Sequence, residues 1–243
     1  MKIFACLFVY NERPYLPEFI EYYRSQGCDF VFVDNMSTDG TYEYLLKQQM
    51  RVVRFDTNGM FELPMLQKAL IQEIHKVKPD WFIYTAADMY FIFDEPIKEM
   101  IWHADKQNYN YLLLKVLEVV NTGEKFALPM QDHFFYGIPQ AKVRYMVAKY
   151  HPDFKIGADA ISLPEQRPKM VNGVIVNYGA CKPKEQSIEK LKRRRKAWEN
   201  GMHKVWGGHY LDWEKRNWIW DKKECVYIPD TQYWKYIQKI MTK

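Results

Sequence analysis

Read for its alternation of apolar and polar positions, the chain opens on a short buried strand, residues 3 to 10, broken by Asn11-Glu12-Arg13. Pro14 and Pro17 then stand where the first turn of a helix tolerates them. Leu16, Phe19, Ile20 and Tyr23 recur at i, i+3, i+4 and i+7, the apolar face of that helix. Gly27 closes it at the usual C′ position. Phe30 to Val33 is a second buried strand, followed by the polar cluster Asp34 to Thr41. A helix begins near Tyr42, and Arg51 to Phe55 is a third strand, closed by Asp56 and the turn pair Asn58-Gly59. A longer helix is predicted from about Phe61 to Lys78, stopped by Pro79-Asp80.

The next stretch, Trp81 to Phe93, is apolar on both sides of one carboxylate, Asp88. A strand should deliver that group to its end and the chain then continue into the core. A buried carboxylate costs several kcal/mol unless it is paired, hydrogen-bonded or bound to a cation. Capping of the following turn is the ordinary alternative role. Four strands alternating with three helices predict an α/β fold with a mostly parallel sheet. Ligands of such sheets gather at the carboxyl ends of the strands. Asn11, Glu12, Asp34, Asp56 and Asp88 all fall at strand ends, so they should line one edge.

Beyond Asp88 the pattern loosens. A helix is expected over residues 96 to 106 and a long strand over 109 to 120, while 121 to 140 is aromatic and turn-rich. Further strands fit 142 to 149 and 171 to 178. Gln186 to Asn200 reads as a basic helix with Ile188, Leu191 and Trp198 on one stripe and caps at Ser187 and Gly201. The tail is rich in tryptophan, and no repeat or low-complexity linker separates it.

Composition sharpens this picture. The 243 residues are 48% hydrophobic and 16% aromatic, ample for a core. No apolar run approaches the roughly 18 residues of a membrane span. The first apolar run is too short for a signal-peptide core, so the start reads as the first strand of a cytoplasmic protein. The four cysteines lack Cys-x-x-Cys spacing, against a zinc site or disulfide framework. Net charge is +5, and it is unevenly placed. Residues 182 to 223 carry thirteen Lys/Arg against six Asp/Glu, leaving the rest of the chain slightly acidic.

With these residues placed, the first 95 resemble a family 2 glycosyltransferase of the GT-A fold. The resemblance is carried by Asn11-Glu12, by Glu18-Phe-Ile-Glu-Tyr-Tyr with Gly27, and by Phe-Val-Asp34-Asn-Met-Ser37-Thr-Asp39-Gly-Thr41. It implies a glycosyltransferase domain over 1–180, with a donor half (1–95) and an acceptor half (96–180). Residues 181–243 then form a basic, aromatic C-terminal extension. Asp34, with Ser37, would meet the base of a nucleotide-sugar donor, a UDP-sugar being favoured; Asn11, Glu12, Asp56 and Ala87 would complete the donor edge. Relatives carry Asp-x-Asp after the fourth strand, its last aspartate ligating Mn²⁺ or Mg²⁺ on the diphosphate. Here the matching residues are Ala86-Ala87-Asp88, so only that last aspartate is kept. His151 is a candidate further ligand, with His133 beside it as a plausible site residue.

Inverting transfer needs a general base for the acceptor hydroxyl. Asp159 in Gly-Ala-Asp-Ala is the candidate, with Asp153 and Asp132 as rivals. The closing segment around Asn177, Lys182 and Lys190 also resembles the family's, with asparagine in place of its usual histidine. Lys182 and Lys190 would meet phosphate. The run Lys190 to Lys196 fits three roles: a solvated face with a lid over donor phosphates, a nucleic-acid surface through Arg193, Arg194 and Arg195, or contact with an anionic membrane or lipid-linked acceptor. The acceptor is then a glycan or, in a phage-type DNA-modifying enzyme, a nucleic acid. A catalytically inactive nucleotide-sugar or glycan binder is the reading from another class. A nucleotidyltransferase is disfavoured, since no Gly-rich phosphate loop follows the first strand.

Overall fold

The computed structural model describes residues 1–121, 126–129, 143–157, 160–179, 182, 184–200 and 225–227. The opening alternation folds as read: β1 (Ile3–Val9), α1 (Leu16–Ser25), β2 (Asp29–Asp34), α2 (Thr41–Lys47), β3 (Arg51–Arg54), α3 (Leu63–Val77) and β4 (Trp81–Tyr84). Helix α3 is two residues shorter at its start than the periodicity suggests, because the Glu62 carboxylate caps it, accepting from the Met65 N–H at 2.6 Å. Its apolar stripe of Leu66, Ala69, Leu70 and Ile74 is buried.

The second half comprises β5 (Met89–Phe93), α4 (Ile97–Lys106), β6 (Tyr111–Glu118), β7 (Val120–Asn121), β8 (Phe126–Pro129), β9 (Val143–Lys149), β10 (Lys155–Ile156), β11 (Ile161–Ser162), β12 (Pro168–Asn177), α5 (Lys184–Glu199) and β13 (Cys225–Tyr227). The long strand expected over 109–120 is thus divided into β6 and β7. Helix α5 starts at Lys184, which puts Ser187 inside its first turn and not at its cap; Gly201 lies outside the described residues.

Eight strands form one sheet in the order β3-β2-β1-β4-β9-β6-β12-β5. Strands β1 to β4 are mutually parallel, β9 runs against both β4 and β6, β12 runs parallel to β6, and β5 runs against β12. The carboxyl ends of β1, β2, β3, β4, β6 and β12 therefore share one edge with the start of β5. Smaller sheets pair β10 with β11, and β13 and β7 with β8, so part of the C-terminal extension returns to the body.

The stretch around Asp88 departs from the simple reading. Strand β4 stops at Tyr84, and residues 85–88 link it to β5, which lies four places away in strand order. So short a link spans that distance only if the sheet curls over at this point, since four residues reach at most about 14 Å. Gly173 in β12 permits the closure: a Cβ there would lie 2.7 Å from the Ile92 carbonyl oxygen and 2.9 Å from the Phe93 ring. Helix α1 then meets β5. The Tyr22 hydroxyl donates to the Phe91 carbonyl (2.8 Å), and the Tyr23 hydroxyl donates to Met89 O (2.9 Å) while accepting from the Phe91 N–H (3.2 Å).

Candidate active site

The site edge begins at the break after β1. Asn11 adopts a left-handed backbone (φ 52°), which Asn tolerates better than most residues. This turns residues 11–13 against the loop that follows β2. The N–H groups of Asn11, Glu12 and Arg13 donate to Ser37 Oγ, Thr41 Oγ1 and Asp39 Oδ2, each at 3.0 Å. In return Thr38 N–H donates to Asn11 Oδ1 at 2.8 Å. Ser37 and Asp39 therefore lace two loops together, and Asp39 also caps α2 through the Thr41 N–H.

Asp34, the last residue of β2, is fully buried. Its Oδ2 accepts from the Ser37 N–H at 3.1 Å and from Arg54 Nε at 3.3 Å. Its Oδ1 is buried with no hydrogen-bond partner among the described residues. Arg54 leaves the adjacent end of β3 and stacks on Tyr42. Asp56 is exposed and accepts from the Asn58 N–H, so it shapes the 56–59 turn.

Asp88, at the end of the β4–β5 link, is 7% exposed. The Lys182 ammonium lies 3.0 Å from its Oδ2 and 2.5 Å from Glu12 Oε1, and stands over the Tyr15 ring. One buried cation thus joins the turn after β1 to the link after β4. Burial works to raise the Asp88 carboxyl, but the Lys182 and Lys190 ammoniums outweigh it and hold Asp88 below the usual carboxylate range. For Glu12 burial wins, and its carboxyl is raised despite Lys182. Burial opposes the charge of Lys182, yet Asp88 and Glu12 raise its pKa well above the ordinary lysine value. Lys190, one step behind, is pushed down to about 8 by burial and by the neighbouring Arg194 and Lys182. Glu12 Oε2, like Asp34 Oδ1, is buried without a partner among the described residues. Gly179 closes in from the end of β12, where a Cβ would lie 3.3 Å from Asp88 Oδ2.

Helix α5 roofs this edge. Tyr10 and Tyr15 donate from their hydroxyls to Glu189 Oε1 (2.6 Å) and Gln186 Oε1 (2.9 Å). Arg193 is buried, its guanidinium 3.3 Å from the Tyr10 ring centroid and donating to Met60 O at 3.1 Å. Arg194 stacks on Phe61, Lys196 donates to Asn58 O, and Arg195 pairs with Glu199 on the same helix. The basic run is a clasp on the 57–61 loop more than an open charged surface.

The structure brings Asn11, Glu12, Asp34, Ser37, Asp88, Lys182 and Lys190 to one edge, with the buried Ala87 beside them. It does not bring His151 or Asp153. Strand β9 runs away from the edge, and Tyr150 N–H bonds to Asp80 O at the start of β4. His151 is therefore at the opposite end of the sheet from Asp88 and cannot share a metal ion with it. Asp159, Asp132, His133 and the tail tryptophans lie outside the described residues. Asp159's neighbours close a hairpin through Gly157 N–H to Ala160 O, and Gln67 of α3 holds Gly157 O at 2.6 Å. Tyr10, Tyr15 and Arg54 are site residues that the sequence reading passes over; Arg54 alone carried a signal, as the charged end of the strand next to Asp34.

The expected Mn²⁺ or Mg²⁺ does not fit these residues. An ion on a diphosphate takes one or two protein carboxylates and fills its shell with phosphate oxygens and waters. Ala86 offers no carboxylate, and Asp88, the one that remains, already faces the Lys182 ammonium through Oδ2.

The geometry can be set beside known proteins. A search of curated proteins finds no match. Solved structures resemble the chain at low identity. One is that of S. aureus TarS residues 1–349 in complex with UDP: 16% identity, 88% of this chain, 69% of that one, TM-score 0.43. Another is glucosyl-3-phosphoglycerate synthase from Mycobacterium tuberculosis in complex with Mn²⁺ and UDP-glucose: 17% identity, 48% and 43% of the two chains, TM-score 0.32. The sequence model of glycosyl transferase family 2 matches residues 5–162, which contain the edge from Asn11 to Asp88 and most of the sheet. The chain belongs to glycosyl transferase family 2.

Proposed function

We propose that this protein transfers a sugar from a nucleotide-sugar donor, a UDP-sugar first, to an acceptor hydroxyl, with inversion. The observation that carries the reading is the pairing of Asp34 and Asp88 on one sheet edge under a basic helix, in a chain of this family. Asp34 Oδ1 and Glu12 Oε2 are buried acceptors lacking a donor among the described residues, each costing about 1–3 kcal/mol. Donors from a base or a ribose would relieve that cost. Lys182 and Lys190 supply positive charge for the diphosphate as it departs. Enzymes of this family commonly carry a divalent ion there; on this chain the carboxylate that would hold it, Asp88, faces the Lys182 ammonium.

In the reaction the acceptor oxygen attacks the anomeric carbon and gives its proton to a carboxylate, for which we put forward Asp159. The bond from that carbon to the diphosphate oxygen breaks, and its electron pair leaves with the nucleoside diphosphate. A nucleic-acid acceptor draws no support from α5, since Arg193 is turned inward and Arg195 is paired.

The test is donor turnover. Incubation with UDP-, GDP- and dTDP-sugars should release free nucleotide from one of them, and faster with the right acceptor. Binding of a donor with no release from any donor or acceptor tried would favour the inactive binder.

A further inference from the structure

We infer that this chain holds its donor diphosphate without a divalent metal, the Lys182 ammonium standing where the metal of its family would stand. The inference rests on the nucleotide-sugar reading above and deepens it. Lys182 is seated and not merely near: its side chain is 7% exposed, and its nitrogen touches Glu12 at 2.5 Å and Asp88 at 3.0 Å. An ammonium has three N–H donors. Two are committed to these carboxylates, and one is left for a phosphate oxygen. The carboxylates fix the cation in place; they do not compete for it as a metal's ligands would.

Charge balance agrees. Glu12 and Asp88 together offset Lys182 and Lys190, and Lys190 forms no ion pair among the described residues. The one carboxylate of the motif that is kept, Asp88, is the one Lys182 occupies, and Ala86 supplies no second carboxylate to draw a doubly charged ion in. Gly179 lies against the same carboxylate, where an added Cβ would come 3.3 Å from Asp88 Oδ2, so the chain after β12 that carries Lys182 passes directly over it. Helix α5 begins two residues after Lys182 and is anchored through Gln186 to Tyr15 and through Glu189 to Tyr10. The cation is therefore delivered by the roof helix, while the carboxylates belong to the floor.

Calorimetric titration of the unmodified protein with UDP and with uridine, in EDTA and then in MnCl₂, decides the matter. The expected result is UDP binding in EDTA at least about tenfold tighter than uridine, changed less than about twofold by Mn²⁺. UDP no better than uridine in EDTA, with a large gain on adding Mn²⁺, overturns the inference and leaves the transferase reading intact. Failure of UDP, GDP and dTDP to bind in either buffer overturns the donor reading, and this inference with it. In EDTA, Lys182→Met should lose the preference for UDP over uridine and Lys182→Arg should keep part of it, with circular dichroism showing each folded. A folded Lys182→Met that retains the full preference also overturns it. Should that variant not fold, the two-buffer titration of the unmodified protein decides alone.

Discussion

Arg193 lies flat against Tyr10, its guanidinium carbon 3.3 Å from the ring centroid, at the centre of what looks in sequence like a solvated basic run. The same guanidinium donates to the carbonyls of Gly59 and Met60. Arg193→Ala should therefore lower stability by about 1–3 kcal/mol, from the lost stack and the lost charge-assisted hydrogen bonds to these carbonyls. Arg195→Ala, which breaks only a half-exposed pair within the helix, should change it by less than about 0.5 kcal/mol. Thermal unfolding of both variants checks this, and equal effects would contradict the burial of Arg193.

Asp34 separates base recognition from phosphate recognition. Asp34→Ala should weaken uridine binding about tenfold or more, the effect of losing a charge-assisted hydrogen bond. Inorganic pyrophosphate should bind as before, since Lys182 and Lys190 are untouched. Calorimetry with the two ligands checks it; parallel losses would mean that the loop had merely come apart.

The lowered pKa of Lys190 makes donor binding sensitive to pH. Below about 8 its ammonium is charged and favours the diphosphate; as pH rises through about 8 the charge is lost and UDP should bind more weakly. UDP itself is fully ionised above pH 7, its last phosphate pKa lying near about 6, so the change belongs to the protein. The stability effect has the opposite sign. Between about 8 and 10.5 the unfolded chain keeps the proton that the folded one has released, so this group makes stability rise with pH there. Lys190→Arg should flatten the binding profile across this range, as measured by titration at several pH values.

Gly173 tests the curl of the sheet. Gly173→Ala would put a methyl 2.7 Å from the Ile92 carbonyl oxygen, and one strand must shift. A loss of about 1–3 kcal/mol is expected in urea unfolding. Because β5 leads directly from Asp88, UDP affinity should fall as well.

The parallel half of the fold was legible because each strand is a short apolar run ending in a polar residue, and each helix shows its 3.6-residue period. That logic also placed Asp34 and Asp88 on one edge. It could not place His151, since a strand read from sequence carries no direction, and β9 turned out to run against β4. Nor could it find the partner of Asp88. Lys182 lies 94 residues further along, and nothing local in either segment marks the pair. The basic run misled for a different reason. Periodicity counts arginine as polar, yet its flat guanidinium covers a tyrosine ring as an apolar group would.

The tyrosine pair of α1 has a wider meaning. Strand β5 is the last of its sheet, and a last strand ordinarily offers an open row of amides and carbonyls on which another chain can template itself. Here the hydroxyls of Tyr22 and Tyr23 occupy Phe91 and Met89 from outside, as a stand-in for a ninth strand. Replacing both with phenylalanine keeps the rings and uncovers these groups, leaving the β5 edge open to pairing with another chain.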